Sequence, residues 1–61
     1  MPLKDLLNVT PVDTKVSLFE KGIPHLKATG KAGSHRFDTY QAREVISSKA
    51  MGNNNIWIYV K

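Results

Sequence analysis

The chain has 61 residues, with nine Lys or Arg against five Asp or Glu, and a formal net charge of +4. It is long enough for one small domain, residues 1–61, and without cysteine it can form neither a disulfide framework nor a thiolate zinc site. It has neither a signal-peptide pattern nor the roughly 18 consecutive apolar residues of a membrane span, so we expect a cytoplasmic protein that does not enter a membrane.

The N-terminal segment predicts a short helix from Pro2 to Val9. Leu3, Leu6 and Leu7 are spaced i, i+3 and i+4, which places them in one apolar stripe. Thr10-Pro11 ends the helix, because the residue before a proline is driven out of the helical region. A helix this short is not stable alone, so it must dock on the rest of the domain.

Two strands joined by a tight turn are predicted next. In Lys15–Glu20, Val16 and Leu18 alternate with polar residues, as in a strand with one buried face. Lys21-Gly22 suits the turn because glycine accepts a positive φ. The second strand, His25–Ala32, places its lysines on one face, which predicts a half-solvated strand with a basic outer face.

The middle of the chain is less regular. Gly33–Arg36 predicts a loop, and Asp38 is placed to cap a short helix that extends to about residue 42. Residues 44–51 suit either a continuation of that helix or a strand. The strand is preferred, because Gly52–Asn55 then forms a hairpin loop into the last strand.

The last strand, Ile56–Lys61, is the clearest element. Aliphatic residues occupy one of its faces, and Trp57, Tyr59 and Lys61 occupy the other. The elements together predict an α+β fold in which a short N-terminal helix packs on a small antiparallel sheet of about four strands, formed by two hairpins. The predicted core consists of Leu3, Leu6, Leu7, Val16, Leu18, Leu26, Ala28, Val45 or Ile46, Ile56, Ile58 and Val60. Because so small a core leaves sheet edges and apolar faces uncovered, we also expect a homo-oligomer.

The excess positive charge lies in the segment from Lys21 to Phe37. This segment contains four bases and no acid, whereas the five bases outside it are matched by the five acids of the chain. A localised basic patch attracts anions, of which phosphate is the most common biological example. The alternative is that this charge only keeps a small protein soluble.

Trp57 and Tyr59 lie two residues apart on one strand, so their rings are expected side by side on one sheet face. Sheets that bind single-stranded nucleic acid present aromatic rings in this way, and a lysine on the same face favours phosphate. In the alternative interpretation the rings cover a second small core, with Phe19 and Phe37, or form a subunit interface.

Catalytic and metal-binding patterns are weak. The segment Thr29–Ser34 only superficially resembles a phosphate-binding loop, because its lysine follows the wrong glycine and no long helix begins after it. Ser34, His35 and Asp38 are adjacent in sequence, whereas members of a catalytic triad converge from separate elements. Two histidines without clustered partners do not predict a metal site. We therefore predict that the protein is not an enzyme and has no metal and no cofactor.

Five segments, taken in chain order, give the chain a resemblance to a group of known proteins. The segments concerned are Leu3–Leu7, Asp13–Phe19, Gly30–Ala32, Arg43–Val45 and Ile56–Val60. With them the chain resembles short uncharacterised proteins encoded by phages and prophages of Gram-positive bacteria. The resemblance implies a binding role in the cytoplasm of an infected bacterium, and it identifies no site residue. The Gly33–Arg36 loop and the three asparagines look particular to this chain.

Two functions follow as hypotheses. The first is a non-catalytic module that binds a phosphate-bearing ligand, either nucleic acid or a nucleotide, through a basic and aromatic sheet face. Its predicted ligand-binding residues are Lys27, Lys31, Arg36, Trp57, Tyr59 and Lys61. The second is a small inhibitor or adaptor that binds a host protein, for example as a counter-defence or host-takeover factor, through the same aromatic face or an exposed sheet edge.

Overall fold

The computed structural model describes residues 1–61. In chain order, its elements are α1 (Leu3–Val9), β1 (Lys15–Glu20), β2 (Leu26–Lys31), a 3-10 helix (His35–Tyr40), β3 (Val45–Gly52) and β4 (Asn55–Val60). The strands form one four-stranded sheet in the order β2-β1-β4-β3. This confirms the predicted α+β fold, both hairpins and the strand assignment of residues 44–51. None of the helices has the length and apolar character needed to cross a membrane.

The sheet is mixed, and the prediction of a purely antiparallel sheet is wrong at its centre. The β1/β2 and β3/β4 hairpins are antiparallel, as their short turns require. The two central strands, β1 and β4, are parallel and pair from Lys15↔Asn55 to Glu20↔Val60. A hairpin turn fixes strand direction only within its own hairpin, so the sequence pattern gave no information on how the two hairpins meet.

Both helices pack on the same face of the sheet and bury the core there. The buried apolar side chains are Leu3, Val16, Leu18, Ala32, Phe37, Ile58 and Val60. Partly buried apolar side chains around them are Leu6, Leu7, Ala28, Tyr40, Val45 and Ile56. Most of the predicted core is therefore confirmed, and Phe37, which the sequence did not assign to it, is its largest member.

Leu26 and Ile46 were predicted as core candidates, and the structure exposes them by 48% and 49%. In both places the strand register shifts, between Leu18 and Phe19 in the β1/β2 pair and between Val45 and Ser47 in the β3/β4 pair. A bulge adds one residue to a strand, so the side chains beyond it change face. Strict alternation of buried and exposed residues therefore does not give the correct face of the sheet for Leu26 and Ile46.

The 3-10 helix begins earlier than the sequence predicted. Ser34 is its N-cap, and its hydroxyl oxygen accepts a hydrogen bond from the backbone N–H of Arg36 at 3.4 Å. Asp38 lies within the first turn instead of capping it. This shift places Phe37 in the middle of the helix, where it is fully buried against the sheet.

The N-terminus of α1 is satisfied by tertiary contacts, since Pro2 provides no side-chain cap. The backbone N–H of Leu3 donates to the carbonyl of Arg43 at 2.8 Å, and that of Lys4 donates to the carbonyl of Gln41 at 3.0 Å. The first N–H groups of any helix have no partner within the helix. The segment that leads into β3 therefore holds this helix, which is too short to be stable by itself.

The turn of the β3/β4 hairpin also fixes the start of β1. Asn53 and Asn54 have φ values of 50° and 59°, as both central residues of a type I′ turn require. The Asn54 side chain donates to the carbonyl of Asp13 at 3.0 Å and accepts from the Thr14 hydroxyl at 3.1 Å. The backbone N–H of Lys15 donates to the Asn54 carbonyl at 2.9 Å. Asn54 thus links the two hairpins at one end of the parallel pair.

We predict that Asn54→Gly lowers the free energy of unfolding by about 1–2 kcal/mol, because it removes two side-chain hydrogen bonds and keeps the positive φ. Asn53→Gly is the matched control. It makes the unfolded chain equally more flexible, and Asn53 makes no such bonds, so the change should stay within about 0.5 kcal/mol. Urea denaturation followed by Trp57 fluorescence measures both. Equal losses for the two variants would show that the Asn54 bonds do not stabilise the fold.

Candidate functional site

The face of the sheet opposite the core carries no helix, and we call it the open face. Strand alternation and register assign to it Lys15, Ser17, Phe19, Leu26, Thr29, Lys31, Ser47, Lys49, Trp57 and Tyr59. Their strand neighbours Val16, Leu18, Ile58 and Val60 are buried on the other face. The open face is therefore a regular surface that the fold leaves without a covering helix.

Three aromatic rings form a cluster in the middle of the open face. The Phe19 ring centroid lies 5.0 Å from that of Trp57, with the planes tilted by 47°. It lies 5.0 Å from that of Tyr59 in a stacked arrangement, with 18° between the planes. The rings share no core with Phe37, which lies on the opposite side of the sheet in the main core. Each ring is only partly buried, so the cluster keeps ring surface in contact with solvent.

Lysines lie along one edge and at one end of the aromatic cluster. Lys49 is directly opposite Trp57 in the β3/β4 pair, and Lys15 is directly opposite Lys31 in the β1/β2 pair. The acid nearest to them is Asp13, which lies 3.9 Å from the Lys31 ammonium, and both side chains are more than two-thirds exposed. An ion pair between such exposed side chains is weak, because water screens both charges. The lysines therefore keep most of their attraction for anions.

Glu20, the one acid within β1, does not neutralise this face. It is paired with Val60, on the core side of the sheet, and its carboxylate accepts from the Arg43 guanidinium at 2.7 Å. The Glu20 side chain is only 19% exposed. Arg43 also donates to the carbonyl of Lys61 and lies over the Tyr40 ring, 5.9 Å from its centroid. Glu20 and Arg43 therefore contact each other and stabilise the fold, and Glu20 does not offset the charge of the lysines on the open face.

At the end of the open face where β1 begins, an open cleft of about 390 Å³ has no hydrophobic lining residue. We call it the basic cleft; its lining residues are Asp13, Lys15, Thr29, Gly30, Lys31 and Arg36. Arg36 reaches it from the 3-10 helix by crossing Gly30, where an added Cβ would lie 2.7 Å from the Arg36 Cδ. A glycine at this position therefore leaves the room that the arginine occupies.

The opposite end of the open face is apolar. An open groove of about 460 Å³ lies beside Tyr59 and is lined by Ile23, Pro24 and Ile46, with Glu20 and Lys21 at its polar side. We call it the apolar groove. Along the strands, the open face thus passes from the basic cleft through the aromatic cluster to a groove in which aliphatic side chains lie beside Glu20 and Lys21.

The residues predicted from sequence fall into three places. Trp57 and Tyr59 are in the aromatic cluster, and Lys31 and Arg36 are together in the basic cleft. Lys27 is the extra residue of the bulge in β2 and does not line the cleft. Lys61 follows β4 at the end of the sheet away from Lys31, and its backbone is bound to Glu44 and Arg43.

The sequence did not assign Lys15 and Lys49 to this surface, and it gave Phe19 only as a partner of the two rings in a second small core. Alternation already separated Lys15 and Phe19 from the buried residues of β1. Only the pairing of β1 with β4 brings Phe19 against both rings, and only the β3/β4 register places Lys49 beside Trp57. The necessary information is therefore long-range strand pairing, which a single sequence does not display.

Comparisons with known proteins give no further assignment: no protein-family model, no curated protein and no solved structure matches the chain. His35 and Asp38 lie 3.3 Å apart on the exposed surface of the 3-10 helix. No group of three or more metal-binding side chains converges in the fold.

We predict that Lys15→Gln raises the free energy of unfolding at low ionic strength by a few tenths of a kcal/mol, because like charges directly opposite each other on paired strands repel. The gain should shrink at high ionic strength, where salt screens the repulsion between Lys15 and Lys31. Lys49→Gln, which removes a lysine that faces no other base, serves as the control. Urea denaturation at both ionic strengths tests this, and an identical response of the two variants would contradict it.

Proposed function

We propose that this protein is a non-catalytic module that binds single-stranded nucleic acid or a nucleotide through its open face. The observation that carries the proposal is the cluster of Phe19, Trp57 and Tyr59 on a sheet face that no helix covers. Lysines lie along one edge of the cluster, on β3, and at one end of it, on the β1/β2 pair. Aromatic rings that stack bases, bordered by cations that attract phosphates, are the two components of such a surface.

The energetics of the two components are complementary. A base stacked on an aromatic side chain contributes about 1–3 kcal/mol and depends little on sequence, since every base has a flat face. Contacts between lysine and phosphate add a salt-dependent term that arises from the release of counterions. The open face offers no array of fixed polar groups for reading base edges, so this function is binding without strong sequence preference.

The setting of this function is also part of the proposal. The resemblance to short phage and prophage proteins would place the binding in the cytoplasm of an infected bacterium. Single-stranded intermediates and nucleotides are abundant there during replication of a phage genome. A module without catalytic residues would act by occupying such a ligand, and self-association would bring several open faces to one strand.

Titration of the protein with a mixed-sequence oligonucleotide of about six nucleotides should quench the fluorescence of Trp57, the only tryptophan. The apparent affinity should fall steeply as the salt concentration is raised. The reason is that the lysines of the protein release counterions from the phosphates, and added salt opposes this release. A nucleoside monophosphate should quench the same signal more weakly, since it offers one base and one phosphate. Absence of quenching by either ligand at low salt would reject the proposal.

Matched variants separate the contribution of the open face from that of net charge. Lys31→Gln should reduce the slope of log affinity against log salt by about 1, because it removes one phosphate contact. Lys4→Gln lowers the net charge equally on α1, which packs on the core side of the sheet, and should leave the slope nearly unchanged. Phe19→Leu should weaken binding at every salt concentration. Equal effects of the two lysine variants would indicate non-specific attraction to a basic protein.

The apolar groove favours a second candidate function, an inhibitor or adaptor that binds a host protein. The aliphatic side chains beside Tyr59 and the exposed edge strand β3 would then form the contact surface, with Tyr59 as an anchor. Ile46→Lys discriminates between the two functions, since it disrupts the groove and adds positive charge to the open face. Oligonucleotide binding should survive this substitution or strengthen, whereas binding to a protein partner through the groove should be lost.

A further inference from the structure

We infer that the basic cleft binds a terminal phosphate monoester, so that the open face recognises the end of a nucleic-acid strand or a nucleotide in preference to an internal segment. This inference rests on the proposed function and specifies its ligand. It starts from the composition of the cleft, whose lining residues include three cationic residues, one acid and no hydrophobic residue. The cleft thus has a net excess of two positive charges.

The strand register makes this excess costly for the fold. Lys15 and Lys31 are directly opposite each other on paired strands, an arrangement in which like charges repel. Arg36 adds a third positive charge to the same cleft, and Asp13 offers only a loose contact of 3.9 Å with Lys31. A bound anion would attract all three positive charges and offset their mutual repulsion. Anion binding would therefore explain why these charges lie together, which solubility alone does not.

The charge of the cleft fits a monoester better than a diester. A phosphodiester within a strand carries one negative charge, whereas a phosphate monoester carries about 1.5 to 2 near neutral pH and has three free oxygens. The Arg36 guanidinium can donate two parallel hydrogen bonds to two of these oxygens, and the lysine ammonium groups serve as point charges for the third. Thr29 lines the same cleft, and a threonine hydroxyl can donate a further hydrogen bond.

The position of Arg36 depends on Gly30. Gly30 is paired with Val16, whose side chain lies in the core, so the arginine stem crosses β2 on the helix-covered side. A Cβ added at Gly30 would collide with this stem, because it would lie 2.7 Å from the Arg36 Cδ. It would also lie 3.2 Å from the Ser34 hydroxyl oxygen. The stem of Arg36 therefore approaches the cleft from the helix-covered side of β2, which is an edge strand of the sheet.

The distance from the cleft to the aromatic cluster suits one nucleotide. Same-face positions along a strand are about 6.6 Å apart and neighbouring strands about 4.8 Å apart, which separates the Cα atoms of Lys15 and Trp57 by about 8 Å. A nucleotide with its phosphate in the basic cleft can thus place its base on Trp57. Further bases would continue toward Tyr59, away from the cleft, so the phosphate in the cleft is the terminal one.

The experiment compares three oligonucleotides of one sequence by Trp57 quenching at fixed ionic strength: one with a 5′-phosphate, one with a 3′-phosphate and one with hydroxyls at both ends. We expect at least one phosphorylated form to bind about tenfold more tightly than the unphosphorylated form. Which form benefits, or whether both do, reports the direction in which the strand lies. Equal affinity of all three, with quenching present, would overturn the inference and leave the proposed function standing. No quenching by any of them would reject both.

Three variants test whether the cleft is responsible. Arg36→Gln should reduce the preference for the phosphorylated end to about twofold or less, because it removes the paired donors. Gly30→Ala should do the same at unchanged net charge, because the new Cβ displaces the arginine. Lys27→Gln, which removes a positive charge from the same strand outside the cleft, should keep the full preference. Retention of the preference by Arg36→Gln, or its loss in folded Lys27→Gln, would also overturn the inference.

Discussion

The parallel pairing of β1 with β4 at the centre of the sheet is the constraint on which the rest of the structure depends. Six successive residue pairs join these strands, and their inward side chains form the middle of the core. Once Val16 and Leu18 lie beside Ile58 and Val60, strand alternation leaves Phe19, Trp57 and Tyr59 together on the other face. Burial of the aliphatic core and exposure of the aromatic cluster are therefore two results of one register.

The periphery of the fold stabilises this pairing at both ends. Asn54 binds the backbone around Asp13 at the start of the parallel pair, while Arg43 binds Glu20 and the carbonyl of Lys61 at its finish. Each contact joins residues that are far apart in the sequence. Since a domain of this size buries only a small core, these polar contacts add to the packing that holds the two hairpins together.

The two faces of the sheet differ in how their residues serve stability. On the core face, the helices cover aliphatic side chains and Phe37, and every large residue at the centre is enclosed. On the open face, Lys15 lies opposite Lys31, which disfavours folding, whereas the aromatic rings stabilise the sheet through their mutual contacts and still leave part of their surface in solvent. A surface that departs from what stability alone would select is where binding is expected, and here the departures lie side by side.

The distinction between local and long-range information accounts for what was predicted. The stripe of Leu3, Leu6 and Leu7, the alternation of β1 and β4, and the turn glycine Gly22 are short-range patterns, and each produced the element expected. Leu26 was assigned to the core, and Ile46 was left as an alternative to Val45, because bulges are not visible in alternation; of that alternative, Val45 is the residue that packs on the core. Phe37 was not assigned to the core because the 3-10 helix that directs it inward begins at a cap, Ser34, that resembles an ordinary loop residue.

The same distinction between local and long-range information applies to the candidate site. The sequence by itself determined that Trp57 and Tyr59 share a strand face and that Lys31 and Arg36 belong to the most basic segment, because strand period and local charge are properties of neighbouring residues. Only the tertiary structure decided that Phe19 joins the two rings, that Lys15 replaces Lys27 in the basic cleft, and that Lys61 lies at the far end. These placements follow from strand order and register, which are fixed by packing across the whole sheet and leave no signal within any single segment.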